Sequence, residues 1–299
     1  LADCGVTACF ANPGTSEMHL VTALDREPRI RSVLCLFEGA ATGAADGFAR
    51  VAGRPAMTLL HLGPGYLNGG ANLHNAKRAH SPVVNVVGDH ATYHRHLDAP
   101  LTSDIEALVK PLAVHVDVVN TPGEAGAKAA EAYKASFGMP GGNAFLILPA
   151  DSAWNEGGET AAPRNIENGA SLDAKLVSEI SAAIKAAKKP AIIIGGDALS
   201  TDAGLQAASR LNAANVKSVA ETFATKTARG AGRYQPPGLA YFAEQAIADL
   251  EGVDLLVAAG TKHPVAFFAY PGKPSELTPE GAKRMVLCAL EHGAAAGLA

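Results

Sequence analysis

Residues 7–61 read TACFANPGTSEMHLVTALDREPRIRSVLCLFEGAATGAADGFARVAGRPAMTLLH. Three short β-branched or apolar runs, TACFANP, SVLCLF and AMTLLH, alternate with TSEMHLVTALDRE and EGAATGAADGFARVAG, whose small and apolar residues recur at helical spacing. Runs apolar nearly throughout predict strands buried on both faces, and their alternation with helices predicts a parallel sheet covered on each side. The rhythm continues through VVNVVG (83–88), VHVDVV (114–119) and AFLILP (144–149).

It breaks at DSAWNEGGETAAPRNIENGA (151–170), whose Gly, Glu, Asn and Pro suit an interdomain linker. Beyond it, LDAKLVSEISAAIKAAKKP (172–190) reads as an amphipathic helix. AIIIGG, VKSVAET, DLLVAAG and KRMVLCAL read as further strands, with helical stretches between them. The expected architecture is α/β, two doubly wound parallel-sheet (Rossmann-like) domains: residues 1–157, a linker over 158–170, and residues 171–299. The opening LADCG resembles the end of a helix already under way, and EHGAAAGLA resembles one just starting. The second domain is therefore expected to be incomplete at its C-terminus.

A chain of 299 residues with 48% apolar and 18% charged residues is long enough for two packed cores. Its 25 basic against 29 acidic residues give a net charge of −4 and no basic stripe, so neither nucleic acid nor a membrane is an expected partner. The apolar runs are too short to span a bilayer. Cys4, Cys9, Cys35 and Cys288 form no CxxC pair and read as reduced thiols of a cytoplasmic protein. No strand ends in GxGxxG, which argues against a nicotinamide-binding domain.

Ligands of open parallel sheets bind beyond the carboxyl ends of the strands. Here those ends carry Asn12-Pro13-Gly14-Thr15-Ser16-Glu17, Phe37-Glu38-Gly39 and His61-Leu62-Gly63-Pro64-Gly65. A hydroxyl, a carboxylate and an imidazole thus share one edge, which is how a site is built. Each element also has an ordinary structural reading. Thr15 or Ser16 can cap a helix, Glu17 and Glu38 can complement helix dipoles, and Gly63-Pro64-Gly65 can turn the chain. The pattern alone leaves both readings open.

FANPGTSEM, LFEGAATGAADGFAR and HLGPGYLNGGANLHNAKRAHSPVVNVVGD, in that order and spacing, resemble the pyrimidine-binding domain of thiamine diphosphate-dependent enzymes of the acetolactate synthase and benzoylformate decarboxylase group. The remainder resembles the central domain of that family. The resemblance implies a 2-oxo acid decarboxylase or carboligase that uses thiamine diphosphate with Mg2+. It assigns Glu38 to the aminopyrimidine, where a carboxylate on a ring nitrogen helps remove the thiazolium C2 proton. His61 matches a catalytic histidine of benzoylformate decarboxylase, and Thr15 matches the serine that holds its substrate carboxylate. Pro13, Gly14, Gly63, Pro64, Gly65 and Asn68 are the remaining expected cofactor contacts. The Gly-Pro-Gly segment is synthase-like, so the chain combines features of both groups and its substrate is left open.

Asn68, Asn72 and Asn75 fall near one helix face, lining either the site or a subunit contact. His90, His94 and His96 lie in a polar stretch without zinc spacing and read as exposed loop residues. The synthases carry a flavin in the central domain. The segments GRYQPPGLAYF (232–242) and AGTKHPVAFFAYPGK (259–273) lack the corresponding contacts, and Gly195-Gly196-Asp197 is only a short turn, so FAD is not expected. The Gly-Asp-Gly and Asn-Asn pair with which the family holds Mg2+ and the diphosphate are absent from the sequence, leaving no metal ligands to assign here. This polypeptide alone is thus expected to bind the cofactor weakly and to be inactive. The family implies a homodimer or homotetramer through the Glu38 and His61 face. The alternative reading is a non-catalytic or half-enzyme subunit completed by a separate diphosphate-binding chain.

Overall fold

The computed structural model describes residues 1–166, 172–289 and 293–299. Contacts divide the chain into two compact units, residues 1–167 and 168–299. The first unit runs β1 (Ala8–Asn12), α1 (Met18–Asp25), β2 (Arg31–Leu34), α2 (Glu38–Ala52), β3 (Ala56–Leu60) and α3 (Leu62–Arg78). It continues with β4 (Val83–Asp89), α4 (Ile105–Val109), β5 (Ala113–Val118), α5 (Ala125–Phe137), β6 (Asn143–Pro149) and α6 (Ala150–Trp154).

All six strands are parallel, in the order β2-β1-β3-β4-β6-β5. The chain steps outward from β1 to β2, then crosses back over β1 to β3. That reversal opens a crevice at the carboxyl ends of β1 and β3. Strand alternation sends successive side chains to opposite faces. Leu59, Val84, Val86 and Leu146 pack with Leu24 of α1 and Ala132 and Tyr133 of α5. On the other face Leu60, Val87, Phe145 and Ile147 pack with Tyr66 and Leu73 of α3 and Ile105 and Val109 of α4. Helices thus cover both faces, as the apolar runs require.

The run SVLCLF departs from expectation. It was expected as a buried strand, yet Leu34 is 73%, Leu36 94% and Phe37 54% exposed. The physical reason is position: β2 is the edge strand and pairs only with β1 among the described strands. An apolar run marks a surface that prefers cover but does not say which element provides it. Cys9 of β1 is buried and free, and burial pushes its thiol up to about 12, whereas Cys35 past the edge strand is only half-buried.

Part of the stretch expected as linker lies along α5. A Cβ on Gly126 would overlap the backbone oxygen of Glu159, Arg164 pairs with Glu131 at 3.4 Å, and Ile166 packs on the first core. Residues 167–170 of that stretch lie outside the described residues, as do Glu291 and His292, the expected start of the last helix.

The second unit comprises α7 (Ala174–Ala186), β7 (Pro190–Ile194), α8 (Asp197–Ser200), α9 (Asp202–Ala213), β8 (Lys217–Ala220), α10 (Ala243–Asp249), β9 (Leu255–Ala259), β10 (Lys283–Cys288) and α11 (Ala294–Leu298). Its parallel strands run β10-β9-β7-β8. Ile192, Ile194 and Val257 pack against α7 and α9, while Ile193, Val219 and Leu256 pack against α10. Both units are doubly wound α/β. Among the described residues no helix is long and apolar enough to cross a membrane.

Candidate active site

Strand register assembles the first part of the site. Asn12 pairs with Leu60, and Leu60 with Val87. Gly14 and His61, just beyond the ends of β1 and β3, and Gly88, the last residue but one of β4, therefore meet at the crevice. Glu17 sits among them with no exposure. Its Oε2 accepts the Gly14 amide at 2.7 Å and lies 2.7 Å from His61 Nδ1. A carboxylate oxygen only accepts, so Nδ1 is the donor, which leaves Nε2 free to accept or exchange a proton.

Two glycines make room for this pair. A Cβ on Gly14 would overlap the His61 ring, and one on Gly88 would overlap Glu17 Oε1. Glu17 Oε1 is buried without a partner among the described residues, so even a small displacement is felt there. We therefore expect Gly88→Ala to cost about 1–3 kcal/mol by overpacking, read from the urea midpoint. Gly65→Ala, whose Cβ would meet its neighbours at 3.4–3.7 Å, is expected to change stability by no more than about 0.5 kcal/mol.

The strand-to-helix turn after His61 is abrupt. Leu62, the first residue of α3, has φ 51°, a left-handed conformation that costs a non-glycine residue on the order of 1–3 kcal/mol. Its side chain is 1% exposed in the core, and that burial offsets the strain. Gly63-Pro64-Gly65 forms the first helical turn, with the Gly65 amide donating to His61 O at 2.8 Å.

Glu38 begins α2, beside α3. Asn68 Nδ2 donates to Glu38 Oε2 at 3.1 Å. Asn72 Nδ2 donates to Gly39 O at 2.7 Å, and Thr42 Oγ1 to Gly69 O at 3.0 Å. The asparagine face of α3 therefore ties that helix to α2 and aims Glu38. Gly65 lies between the two groups, its Cβ position 3.5 Å from His61 Cβ and 3.7 Å from Glu38 Oε1. Glu38, Asn68, Gly65, His61 and Gly14 thus converge. Gly63 packs instead against Ser103, and Pro64 is exposed on the first turn of α3.

Thr15 and Ser16 line a separate cavity of about 260 Å3 with His90, Tyr93, His94 and Trp154. His90 and His94 are half-buried, their rings 5.6 Å apart, so the expectation of exposed loop histidines fits only His96. The loop folds back because Arg95 pairs with Asp89 at 2.6 Å and Thr92 donates through N and Oγ1 to Asp151 at 3.0 and 2.5 Å. Burial pushes the Asp89 carboxyl above its usual range even beside Arg95. Among the described residues no three His, Cys, Asp or Glu side chains group as metal ligands.

Sequence reasoning missed Glu17, which it read as a helix-dipole acid. The available signal was a glutamate two residues after Thr15 with a glycine next to the end of the fourth strand, and it needed the register to be interpreted.

Residues 1–108 match the family model for the thiamine pyrophosphate enzyme, N-terminal TPP binding domain. The Mycobacterium tuberculosis protein named "Putative acetolactate synthase large subunit IlvX" is 51% identical over 99% of this chain and 56% of its own length. Benzoylformate decarboxylase of Pseudomonas aeruginosa is 30% identical over 64% of this chain and 37% of its own. The crystal structure of benzoylformate decarboxylase from Polynucleobacter necessarius superposes with a TM-score of 0.78 at 26% identity, covering 94% of this chain and 52% of that one. The chain therefore spans about half the length, or less, of these relatives. Residues 1–108 therefore belong to the thiamine pyrophosphate enzyme N-terminal TPP-binding domain family, and the chain as a whole is similar to thiamine pyrophosphate enzymes.

Proposed function

We propose that this chain supplies the pyrimidine-binding and central domains of a cytoplasmic thiamine diphosphate-dependent lyase or transferase acting on 2-oxo acids. The observation that carries the reading is Glu38 at the head of α2, one carboxylate oxygen fixed by Asn68 and the other directed beside Gly65. A carboxylate held this way fits an aminopyrimidine ring nitrogen, which needs an acceptor and a shared proton. Bound thiamine diphosphate supplies a carbon nucleophile for the oxo group and an acceptor for the electron pair released with CO2.

The residues of this chain orient and move protons. Glu38 holds a proton at the ring nitrogen, and Asn68 keeps the carboxylate from turning away. Pro13, Gly14 and Gly65 form the walls against which the pyrimidine lies, while Gly63 and Pro64 make the turn that presents Gly65. Glu17 fixes the His61 tautomer so that Nε2 exchanges a proton with the substrate, and Thr15 donates to the substrate carboxylate. Mg2+ and the diphosphate are assigned to a separate set of residues, since neither the Gly-Asp-Gly nor the Asn-Asn pair of the family occurs here. A second copy is assigned to the face that bears Leu36, Phe37 and Glu38, which is open and apolar.

The test is CO2 release by the intact native protein supplied with thiamine diphosphate and Mg2+ across a panel of 2-oxo acids. Cofactor-dependent release is expected. Binding of the cofactor without any turnover, by protein of full native mass, would favour the alternative of a subunit completed by a separate diphosphate-binding chain.

A further inference from the structure

The cavity beside Thr15 has chemistry of its own. Thr15 and Ser16 offer hydroxyls, His90 and His94 imidazoles, Tyr93 a phenol and Trp154 an indole N–H, so every polar wall can donate a hydrogen bond. No carboxylate lines it, and the acids nearby are engaged. Asp89 accepts from the His90 amide and pairs with Arg95, both Asp151 oxygens are taken by Thr92, and Glu17 holds Gly14 and His61. His90 Nε2 is shut off from solvent with no partner among the described residues. A donor-rich wall with an unpartnered ring nitrogen wants an anionic acceptor. A phosphate group would demand a fixed cation, and Arg95, the nearby cation paired with Asp89, does not line the cavity. A carboxylate is the acceptor that fits.

Location says what carries it. Thr15 adjoins Gly14, whose Cα abuts the His61 ring, so the cavity opens one residue from the proposed proton-transfer group. At about 260 Å3 it lies below the usual range for ligand pockets, roughly 300–1,000 Å3, and suits a short acyl arm rather than an aromatic ring with substituents. We propose that this cavity binds the distal carboxylate of the substrate through Ser16, His90 and His94, with the Thr15 hydroxyl kept for the reacting carboxylate, making the protein selective for 2-oxo acids that carry a second carboxylate. The assignment rests on the function proposed above, while the binding of a carboxylate in the cavity does not.

Trp154, the single tryptophan of these 299 residues, lines this cavity, so the part of the intact protein's fluorescence response that Trp154→Phe abolishes reports it. With intact protein, glutarate is expected to give a saturable change, and pentanoate, of equal length with one carboxylate, a much weaker one. His94→Ala should raise the glutarate dissociation constant about tenfold, and His94→Gln, which keeps a donor, should recover part of the loss. Equal responses to the two acids, or no effect of His94→Ala in a variant with an unchanged melting temperature, overturns the site. In the holoenzyme, His94→Ala should lower kcat/KM for 2-oxoglutarate about tenfold relative to 2-oxopentanoate. Glutarate binding that depends on His94 with an unchanged kcat/KM ratio would make this an effector site and overturn the substrate assignment. Loss of all 2-oxo acid turnover in the wild type would overturn that assignment together with the proposed function, leaving the fluorescence titration to decide the carboxylate site.

Discussion

Glu38→Gln is expected to slow deuterium exchange at C2 of bound thiamine diphosphate and CO2 release together, by about a hundredfold to ten-thousandfold. Glutamine preserves volume and can still accept from Asn68, so α2 and α3 should stay joined through Thr42 and Asn72. What it loses is the ability to share a proton with the pyrimidine. Both rates therefore fall by the same factor, because every later step waits on C2. Normal exchange in this variant would remove Glu38 from the chemistry. Asn68→Ala should reproduce a smaller part of the loss, since it frees the carboxylate without removing it.

Glu17→Gln should act on a different step with comparable force. The amide oxygen can still accept from both Gly14 and His61, but its NH2 end then faces Gly88 with donors that find no acceptor, and the imidazole loses the carboxylate that would balance its charge when it takes a proton. We expect CO2 release to fall about a hundredfold to ten-thousandfold while C2 exchange stays near wild type. His61→Ala should show the same split. The decisive measurement is the double variant. Groups that work through one another lose their effect once, so Glu17→Gln combined with His61→Ala should be no slower than His61→Ala alone. Multiplying losses would mean that Glu17 acts independently of the histidine. Thermal melts of each variant separate this from unfolding, because a folding defect depresses exchange and turnover alike.

Much of this arrangement was legible beforehand. Alternating apolar runs and helical stretches indicated two parallel sheets, and the carboxyl ends of the first three strands indicated where Glu38 and His61 belong. Their convergence on Gly65 follows from the crossover between β2 and β3, which strand–helix alternation already suggests. Glu17 was not legible, because an acid at the start of a helix has an ordinary electrostatic use. Only the register Asn12–Leu60–Val87 reveals that its carboxylate fills the space above Gly88. The His90 and His94 cavity escaped for a related reason. A polar, histidine-rich stretch reads as loop, and the two contacts that fold it back, Arg95 to Asp89 and Thr92 to Asp151, span up to 59 positions of sequence. The edge position of SVLCLF escaped because hydrophobicity records how much cover a segment wants, not where the chain will place it.

That edge has a consequence for handling the protein. Leu34, Leu36 and Phe37 lie bare beside an unpaired strand edge, an arrangement that templates contact with another chain. A solution of unassembled chains should behave as a suspension of mutually attracting particles. Static light scattering should give a negative second virial coefficient, and solubility should fall steeply with concentration. A single Leu36→Lys change, at a side chain 94% exposed, should turn that attraction into repulsion without touching either core.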